Sequence, residues 1–309
     1  MEPYELKEIE YENEIAPRYN RDYHEPLVMK MHDQAFVEYA GRSYHENDRV
    51  LDLGCGPASL WTYWKNVFRN PKSLTGVDLS EGMIGECKKM YPRDDFRAGS
   101  ALKIPLPDGS IDLVIASSVL HHMPDEKLPE AFKEIHRVLD EHGALVGREP
   151  LSKGRLGDES SWLSGAVMSF RHLVYRLTHT REYPEPSIGE HHHAYDPQKF
   201  IEILRQFFPL KGVSMRHPVS SFVARCNHPL VAQIVQLLDE RIEHRGGHEF
   251  FYVAQKNYTD AKDVAYCVEQ ELEQNENGLK NPDEFLALLQ QSAEILEKEL
   301  EDFHDKSRA

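Results

Sequence analysis

The chain has few cysteines, a shortage of basic residues and no long apolar run. Its 309 residues include four scattered cysteines without C-x-x-C spacing, which argues against a disulfide scaffold or a cysteine zinc site. No apolar stretch approaches the ~20 residues that cross a bilayer. Lys and Arg total 36 against 52 Asp and Glu, for a net charge of −16, which disfavours non-specific nucleic-acid binding. We therefore expect a cytoplasmic protein with no integral membrane segment and no nucleic-acid partner.

The most informative segment is residues 50–59, where an apolar strand run ends in Asp52 and turns through Gly54-Cys55-Gly56. Glycine tolerates positive φ and has no Cβ, so we expect this turn to bring backbone N–H groups against a ligand. A second strand run, residues 73–78, ends in Asp78, at the spacing from which a carboxylate reaches a ribose diol in nucleotide-binding βαβ units. Either acid alone is also typical of a simple strand-end cap, but together they indicate a nucleotide site.

Later segments extend this pattern in a fixed order: residues 99–106, 111–118 and 135–139. With the two acidic strand ends, they make residues 45–150 resemble the class I S-adenosylmethionine (SAM)-dependent methyltransferases. The chain is most similar to the small-molecule branch that includes ubiquinone- and menaquinone-type enzymes, with a weaker continuation to about residue 256. The resemblance implies SAM as cofactor and a Rossmann-like α/β fold, with a seven-stranded sheet that is mostly parallel and has an antiparallel last strand.

Alternating strand and helix patterns predict the organisation of the chain. We expect an N-terminal helical lid over residues 1–44, a SAM-binding methyltransferase domain over 45–256 with a substrate insertion at 151–195, and an acidic helical C-terminal extension over 257–309. Predicted strands lie near 49–53, 73–78, 94–97, 111–116, 143–149, 211–223 and 249–255, and predicted helices near 58–69, 81–90, 126–139, 197–208 and 229–243. For the C-terminal extension, a helix packed on the parent domain, a homodimerisation helix and a partner-binding tail all stay open.

The resemblance assigns eleven residues to the cofactor: Tyr19, Asp52, Gly54, Cys55, Gly56, Asp78, Leu79, Met83, Ser100, Ala101 and Ser118. The glycine turn should lie along the methionine moiety, with Asp52 near its ammonium group. Asp78 should accept hydrogen bonds from both ribose hydroxyls. Leu79 and Met83 should enclose the adenine, although a methionine at such a position is equally typical of the core.

One position departs from the family pattern. Many relatives have an acid after the glycine that corresponds to Gly99, where it holds the exocyclic amine of adenine, whereas this chain has Ser100. A hydroxyl can still accept that bond, and the N–H of Ala101 can serve a ring nitrogen. We expect weaker cofactor binding than with an acid, and hence tighter binding in Ser100→Asp.

Methyl transfer from SAM requires positioning, and a base only where the acceptor must lose a proton. The candidate catalytic residues are His121, His122, Glu149, His191 and His193. Each has a structural alternative: local turn structure for His121 and His122, a surface charge for Glu149, and a solvated loop for His191 and His193. His191 and His193 share one face of an extended segment, but a third metal ligand cannot be named and no metal is predicted.

Of the features of the reaction, the methyl acceptor is the one that the sequence specifies least. The stripe over residues 161–181 combines apolar side chains with arginines, and with Arg148 it suits an apolar small molecule bearing an anionic group; coverage of the core and shallow membrane docking are the alternatives. Ser117-Ser118-Val119-Leu120 does not resemble the tetrad that grips a flipped base in nucleic-acid methyltransferases. We expect methyl transfer to O, N or C of a small molecule. A non-catalytic SAM-binding partner and a carboxyl methyltransferase acting on a carrier- or protein-bound acid stay as alternatives.

Overall fold

The computed structural model describes residues 2–150, 196–217, 220, 224–227, 229–242 and 249–257. Within them, seven strands form one sheet: β1 Arg49–Leu53, β2 Ser73–Asp78, β3 Asp95–Ala98, β4 Ile111–Ser117, β5 Leu139–Pro150, β6 Leu210–Arg216 and β7 Glu249–Gln255. The α-helices are α1 Pro3–Ile15, α2 Leu27–Gly41, α3 Trp61–Val67, α4 Glu81–Met90, α5 Leu128–Val138, α6 Pro197–Leu204 and α7 Pro229–Ile242.

The strand order is β3-β2-β1-β4-β5-β7-β6. Strands β1 to β5 pair in parallel, whereas β7 runs antiparallel to both β5 and β6. This confirms the predicted Rossmann-like sheet, mostly parallel with an antiparallel last strand. The order reverses between β1 and β4, and ligands bind beyond the carboxyl ends of the strands at such a switch point.

Successive residues of a strand point to opposite faces of the sheet. Both faces carry apolar side chains, and helices cover each of them. On β1, Leu51 and Leu53 face one core, which contains Phe132 of α5 and Phe200 of α6. Val50 faces the other core, where side chains of α2, α3 and α4 pack. Both faces are closed, so the carboxyl ends of the strands are the natural place for a ligand.

The N-terminal segment folds over this edge of the sheet. A 3₁₀ turn at Ala16–Arg18 and a π-helical turn at Asn20–His24 connect α1 to α2. Asn13 Oδ1 accepts hydrogen bonds from Ser80 Oγ and Gly82 N, both at 2.8 Å, which fastens α1 to the start of α4. Ser59 Oγ donates to Asn20 Oδ1 at 2.6 Å, which ties the second turn to the segment after β1.

Two predicted boundaries, of one helix and one strand, are wrong because a residue with positive φ lies inside the predicted range. The helix predicted from residue 58 begins at Trp61, because Ala58 has a φ of +59° and lies in the left-handed region. The strand predicted over 211–223 ends at Arg216, because His217 has the same φ of +59°. Left-handed residues interrupt regular helices and strands. No helix in the described part of the chain is long and apolar enough to cross a membrane.

Candidate active site

A cavity of about 350 Å³ lies beyond the carboxyl ends of β1, β2 and β4, roofed by α1 and the turns that follow it. It is lined by ten of the eleven residues assigned to the cofactor: Tyr19, Asp52, Gly54, Cys55, Gly56, Asp78, Leu79, Ser100, Ala101 and Ser118. Met83 is absent from the lining. It is 1% exposed and packs with Ile15 and Ala16 under the N-terminal segment, which is the core position given as its alternative, and its contact with adenine stays a prediction.

The glycine turn is shaped by close approach and positive φ. Gly54 has a φ of +70°, and a Cβ there would lie 2.3 Å from Cγ2 of Val119. Gly54 N and Cys55 N donate to the Val77 carbonyl at 2.7 and 3.1 Å, and Gly56 N donates to Asp78 Oδ2 at 2.8 Å. The expectation that these N–H groups meet a ligand is therefore wrong, because they bind the turn to the end of β2.

Asp52, which is buried, and Asp78, which is half-buried, lie at the ends of β1 and β2. Trp64 Nε1 donates to Asp52 Oδ2 at 2.9 Å, and burial raises the pKa of Asp52 to about 7. Asp78 accepts from Gly56 N and, at 2.9 Å, from Ser80 N. Burial raises the pKa of Asp78 as well, although these two N–H bonds oppose the shift. Neither aspartate forms an ion pair within the described residues, so both suit a ligand that brings a cation or hydroxyl donors.

Ser100 lies at the β3 end of the cavity and is engaged with the N-terminal helix. Its hydroxyl donates to Glu5 Oε1 and accepts from Leu102 N at 3.0 Å. Glu5 is 4% exposed and lines the cavity. A carboxylate at position 100 would meet the carboxylate of Glu5, so the expected tightening by Ser100→Asp does not follow in this structure.

The side chain of Glu149 stabilises the turn after β4. Ser118 has a φ of +54°, and its N–H donates to the Arg148 carbonyl at 2.8 Å. Glu149 is fully buried and accepts from the N–H groups of Val119, Leu120 and His121 at 3.0–3.3 Å. Burial raises its pKa to about 8. The predicted role of Glu149 in orienting an acceptor is wrong, since the side chain contacts the turn and does not line the cavity.

The two histidines of this turn lie in different surroundings. His121 is 7% exposed, and its Nδ1 lies 2.9 Å from Glu149 Oε2. His122 Nδ1 lies 2.6 Å from Glu8 Oε1 of α1. Burial lowers the pKa of His122, but the hydrogen bond and charge of Glu8 outweigh it and leave that pKa above its usual value. Both histidines line the cavity, and His122 is the one that an acid of the N-terminal helix orients.

Arg148 lines the cavity, but two of its three guanidinium nitrogens are engaged within the protein. Its Nη2 donates to Asp33 Oδ1 of α2 at 2.6 Å, and its Nε donates to Ser117 Oγ at 2.9 Å. The guanidinium is 4.9 Å from the ring centroid of Phe36. Asp33 accepts a second bond from the His24 ring at 2.7 Å. Arg148 thus fastens α2 to the end of β5. Its Nη1 has no hydrogen-bond partner among the described residues, so its role in binding a substrate anion stays a prediction.

Two groups in the described residues bring potential metal ligands within 4.8 Å of one another, Glu8/Glu12/His122 and His32/His217/Glu249. In the first, Glu8 already binds His122. In the second, the His32 and His217 rings stack 3.8 Å apart with planes 16° apart, so their lone pairs run nearly parallel and do not converge. Neither group fits a metal ion as it stands, and we assign none.

Several predicted residues lie outside the described part of the chain. These are His191 and His193, the whole 151–195 insertion, and the C-terminal extension after residue 257. Their predicted roles, including homodimerisation through the C-terminal helix, stay predictions.

Sequence reasoning missed the acids that α1 contributes to the cavity. Glu5, Glu8 and Glu12 all line it, and burial raises the pKa of Glu12 to about 8. Their i, i+3, i+7 spacing places them on one face of a helix. The signal was present in the sequence, but charged residues in an acidic helix are ordinarily assigned to solvent.

Comparison with known proteins agrees with this geometry. Residues 51–147 match a family model described as a methyltransferase domain. An uncharacterised methyltransferase of Schizosaccharomyces pombe is 39% identical over 104 residues, which cover 34% of this chain and 39% of the relative. A malonyl-[acyl-carrier protein] O-methyltransferase of Pectobacterium atrosepticum is 26% identical over 175 residues, which cover 55% of this chain and 65% of the relative. The chain thus spans less than two thirds of the length of both.

Solved structures show the same fold at low identity. The [4+2]-cyclase SpnF is 20% identical with a TM-score of 0.52, covering 82% of this chain and 97% of the cyclase. A geranyl diphosphate C-methyltransferase from Streptomyces coelicolor is 14% identical with a TM-score of 0.53, covering 83% and 99%. The names of these two proteins describe different reactions, so the structural similarity shows a shared fold alone.

Proposed function

We propose that the chain, whose residues 51–147 match a methyltransferase domain model, is a class I SAM-dependent methyltransferase and transfers the methyl group of SAM to a small-molecule acceptor. The observation that carries the proposal is the cavity at the switch point, where the buried Asp52 and the half-buried Asp78 end neighbouring strands. Neither carboxylate has an ion-pair partner within the described residues. A cofactor with an ammonium group and a ribose diol supplies a cation for Asp52 and hydroxyl donors for Asp78.

The side chains present fit this cofactor. Each oxygen of Asp78 accepts one backbone N–H and keeps a second lone pair for a ribose hydroxyl. Asp52 accepts one bond from Trp64 and keeps acceptor capacity for an ammonium group. Tyr19, whose ring lies 4.0 Å from the Cβ position of Gly56, covers the glycine turn from the N-terminal side.

The cofactor supplies a methyl group already activated for in-line displacement, so the protein contributes position and, where needed, proton removal. We assign proton removal to His122 and its orientation to Glu8. The imidazole lines the cavity beside Ser118, at the end of the strand that follows β1 in the sheet order. This assignment suits an acceptor that must lose a proton, such as an amine or a hydroxyl group.

A second candidate is methyl transfer to the carboxylate of a carrier-bound acid. The malonyl-[acyl-carrier protein] O-methyltransferases among the relatives favour it. The net charge of −16 weighs against it, because carrier proteins are themselves acidic and would be repelled. A carboxylate acceptor has no proton to lose, so His122→Asn should leave that reaction nearly unchanged and should lower transfer to an amine or hydroxyl by about 100-fold or more.

Calorimetric titration with SAM and its demethylated product, S-adenosylhomocysteine, tests the premise. We expect micromolar binding by the wild-type chain and a loss of about tenfold or more in Asp78→Asn, which exchanges a charged acceptor for a neutral amide. Glu81→Gln, at an exposed acid in the first turn of α4, is the control. Absence of binding at high micromolar cofactor would reject the proposal. Incubation with methyl-labelled SAM and fractionated metabolites then identifies the acceptor; binding without any labelled product would favour a non-catalytic partner protein.

A further inference from the structure

We propose that Glu5 of α1, and not Ser100, accepts the hydrogen bond from the exocyclic amine of the cofactor's adenine. The inference rests on the proposed function, because it presumes that SAM occupies the cavity. It makes the N-terminal helix a part of the cofactor site that selects for adenine, in addition to a cover over it.

The order of groups along the cavity sets where the adenine lies. Asp52, Asp78 and Ser100 follow β1, β2 and β3, which are neighbours in the sheet. With the ammonium group at Asp52 and the ribose at Asp78, the base extends toward β3. The walls there are Leu79, Ala101 and the side chains of Ser100 and Glu5.

Glu5 is the carboxylate at this end with acceptor capacity left. Its Oε2 accepts from Glu2 N at 2.7 Å, and its Oε1 accepts from Ser100 Oγ. An ionised carboxylate has about four acceptor positions, so about two stay open. The nearby cations Lys127 and His122 pair with Glu2 and Glu8 instead. A carboxylate that is 4% exposed gains from a further donor, because a buried charge is costly until its hydrogen bonds are complete.

Ser100 is the weaker acceptor. Its single proton is directed at Glu5 and one of its lone pairs is occupied by Leu102 N. The hydroxyl therefore uses its proton on Glu5 and has one lone pair left for the cofactor, whereas the capping bond from Glu2 N holds the Glu5 side chain in place. The position of Glu5 is also fixed from both ends of its helix, by Glu2 Oε1 with Lys127 Nζ at 2.7 Å and by Asn13 with the start of α4.

A purely structural role for Glu5 is the competing explanation, since the bond from Glu2 N caps the start of α1. The substitution Glu5→Gln separates the two roles. Glutamine preserves the cap through its carbonyl oxygen and then turns its NH₂ toward the cavity, where it opposes the adenine amine. The same NH₂ would accommodate a hypoxanthine base, whose exocyclic group is a carbonyl acceptor.

The experiment compares S-adenosylhomocysteine with S-inosylhomocysteine by calorimetry on the full chain. We expect the wild type to prefer the adenine ligand by about tenfold or more, as for a hydrogen bond to a charged group, and Glu5→Gln to lose or reverse that preference. Glu10→Gln, on the exposed side of α1, is the matched control and should keep it. Ser100→Ala should keep it too, and the melting temperature of each ligand-free variant checks the fold.

The outcomes separate the two proposals. If the wild type binds neither ligand, the proposed function fails. If it binds both equally, if Glu5→Gln weakens both by the same factor, or if Ser100→Ala abolishes the preference, SAM binding stands and the assignment to Glu5 is overturned.

Discussion

At the scale of single residues, the pair formed by His122 and Glu8 makes a prediction about pH. Glu8 keeps the pKa of His122 above its usual value against the effect of burial, and only the neutral imidazole can remove a proton. Transfer to a protic acceptor should therefore rise with pH through that raised pKa. In Glu8→Gln the hydrogen-bonded charge is gone and only the more weakly acting charges of Glu12 and Glu149 still oppose burial, so the acidic limb of the kcat/KM profile should move to lower pH.

The measurement is the rate of methyl transfer from pH 5.5 to 9, once an acceptor is identified. Glu14→Gln, an exposed acid of the same helix, is the control and should leave the limb in place. A lower rate in Glu8→Gln with an unmoved limb would mean that Glu8 only supports the structure and does not tune His122.

At the scale of elements, the attachment of α2 depends on one buried ion pair. Asp33 and Arg148 are 1% and 4% exposed and meet at 2.6 Å. Asp33→Asn leaves the guanidinium buried with only the more distant Glu249 at 3.9 Å, so we expect a loss of ~3 kcal/mol, at the lower end for a broken buried pair. Urea unfolding measures it, and Glu38→Gln on the exposed side of α2 is the control. A loss below ~1 kcal/mol would show that the pair contributes no more than a surface pair.

The same elements show what the sequence could and could not provide. The strands that carry Asp52 and Asp78 were predictable, because apolar runs ending at glycines and acids report a buried strand and its turn. Met83 has the same apolar character as Leu79, and nothing local distinguishes a cavity wall from a core. Glu5 reaches Ser100 across 95 residues of sequence, a contact that only the path of the N-terminal segment creates.

At the scale of the whole molecule, the acids around the cavity couple stability to pH and to the cofactor. Burial raises the pKa of Asp52 to about 7 and of Glu12 to about 8. A carboxyl whose pKa is raised on folding contributes stability that is complete below its unfolded value and is lost as pH rises through the folded one. The ligand-free protein should therefore lose the contribution of these two acids between about pH 4.5 and pH 8.

The cofactor should act in the opposite direction. Its ammonium group favours ionised Asp52, so binding below pH 7 must also remove a proton, and affinity should fall by up to about tenfold per pH unit there. Ligand binding stabilises the folded state by RT ln(1 + [L]/Kd), so the rise in melting temperature with S-adenosylhomocysteine at fixed concentration should grow from pH 6 to pH 8. In Asp52→Asn, a weaker binder, that growth should largely vanish, because no proton leaves this position. A constant rise in the wild type would mean that Asp52 is already ionised at pH 6 in the free protein and that the acidic cavity is charged before the cofactor arrives.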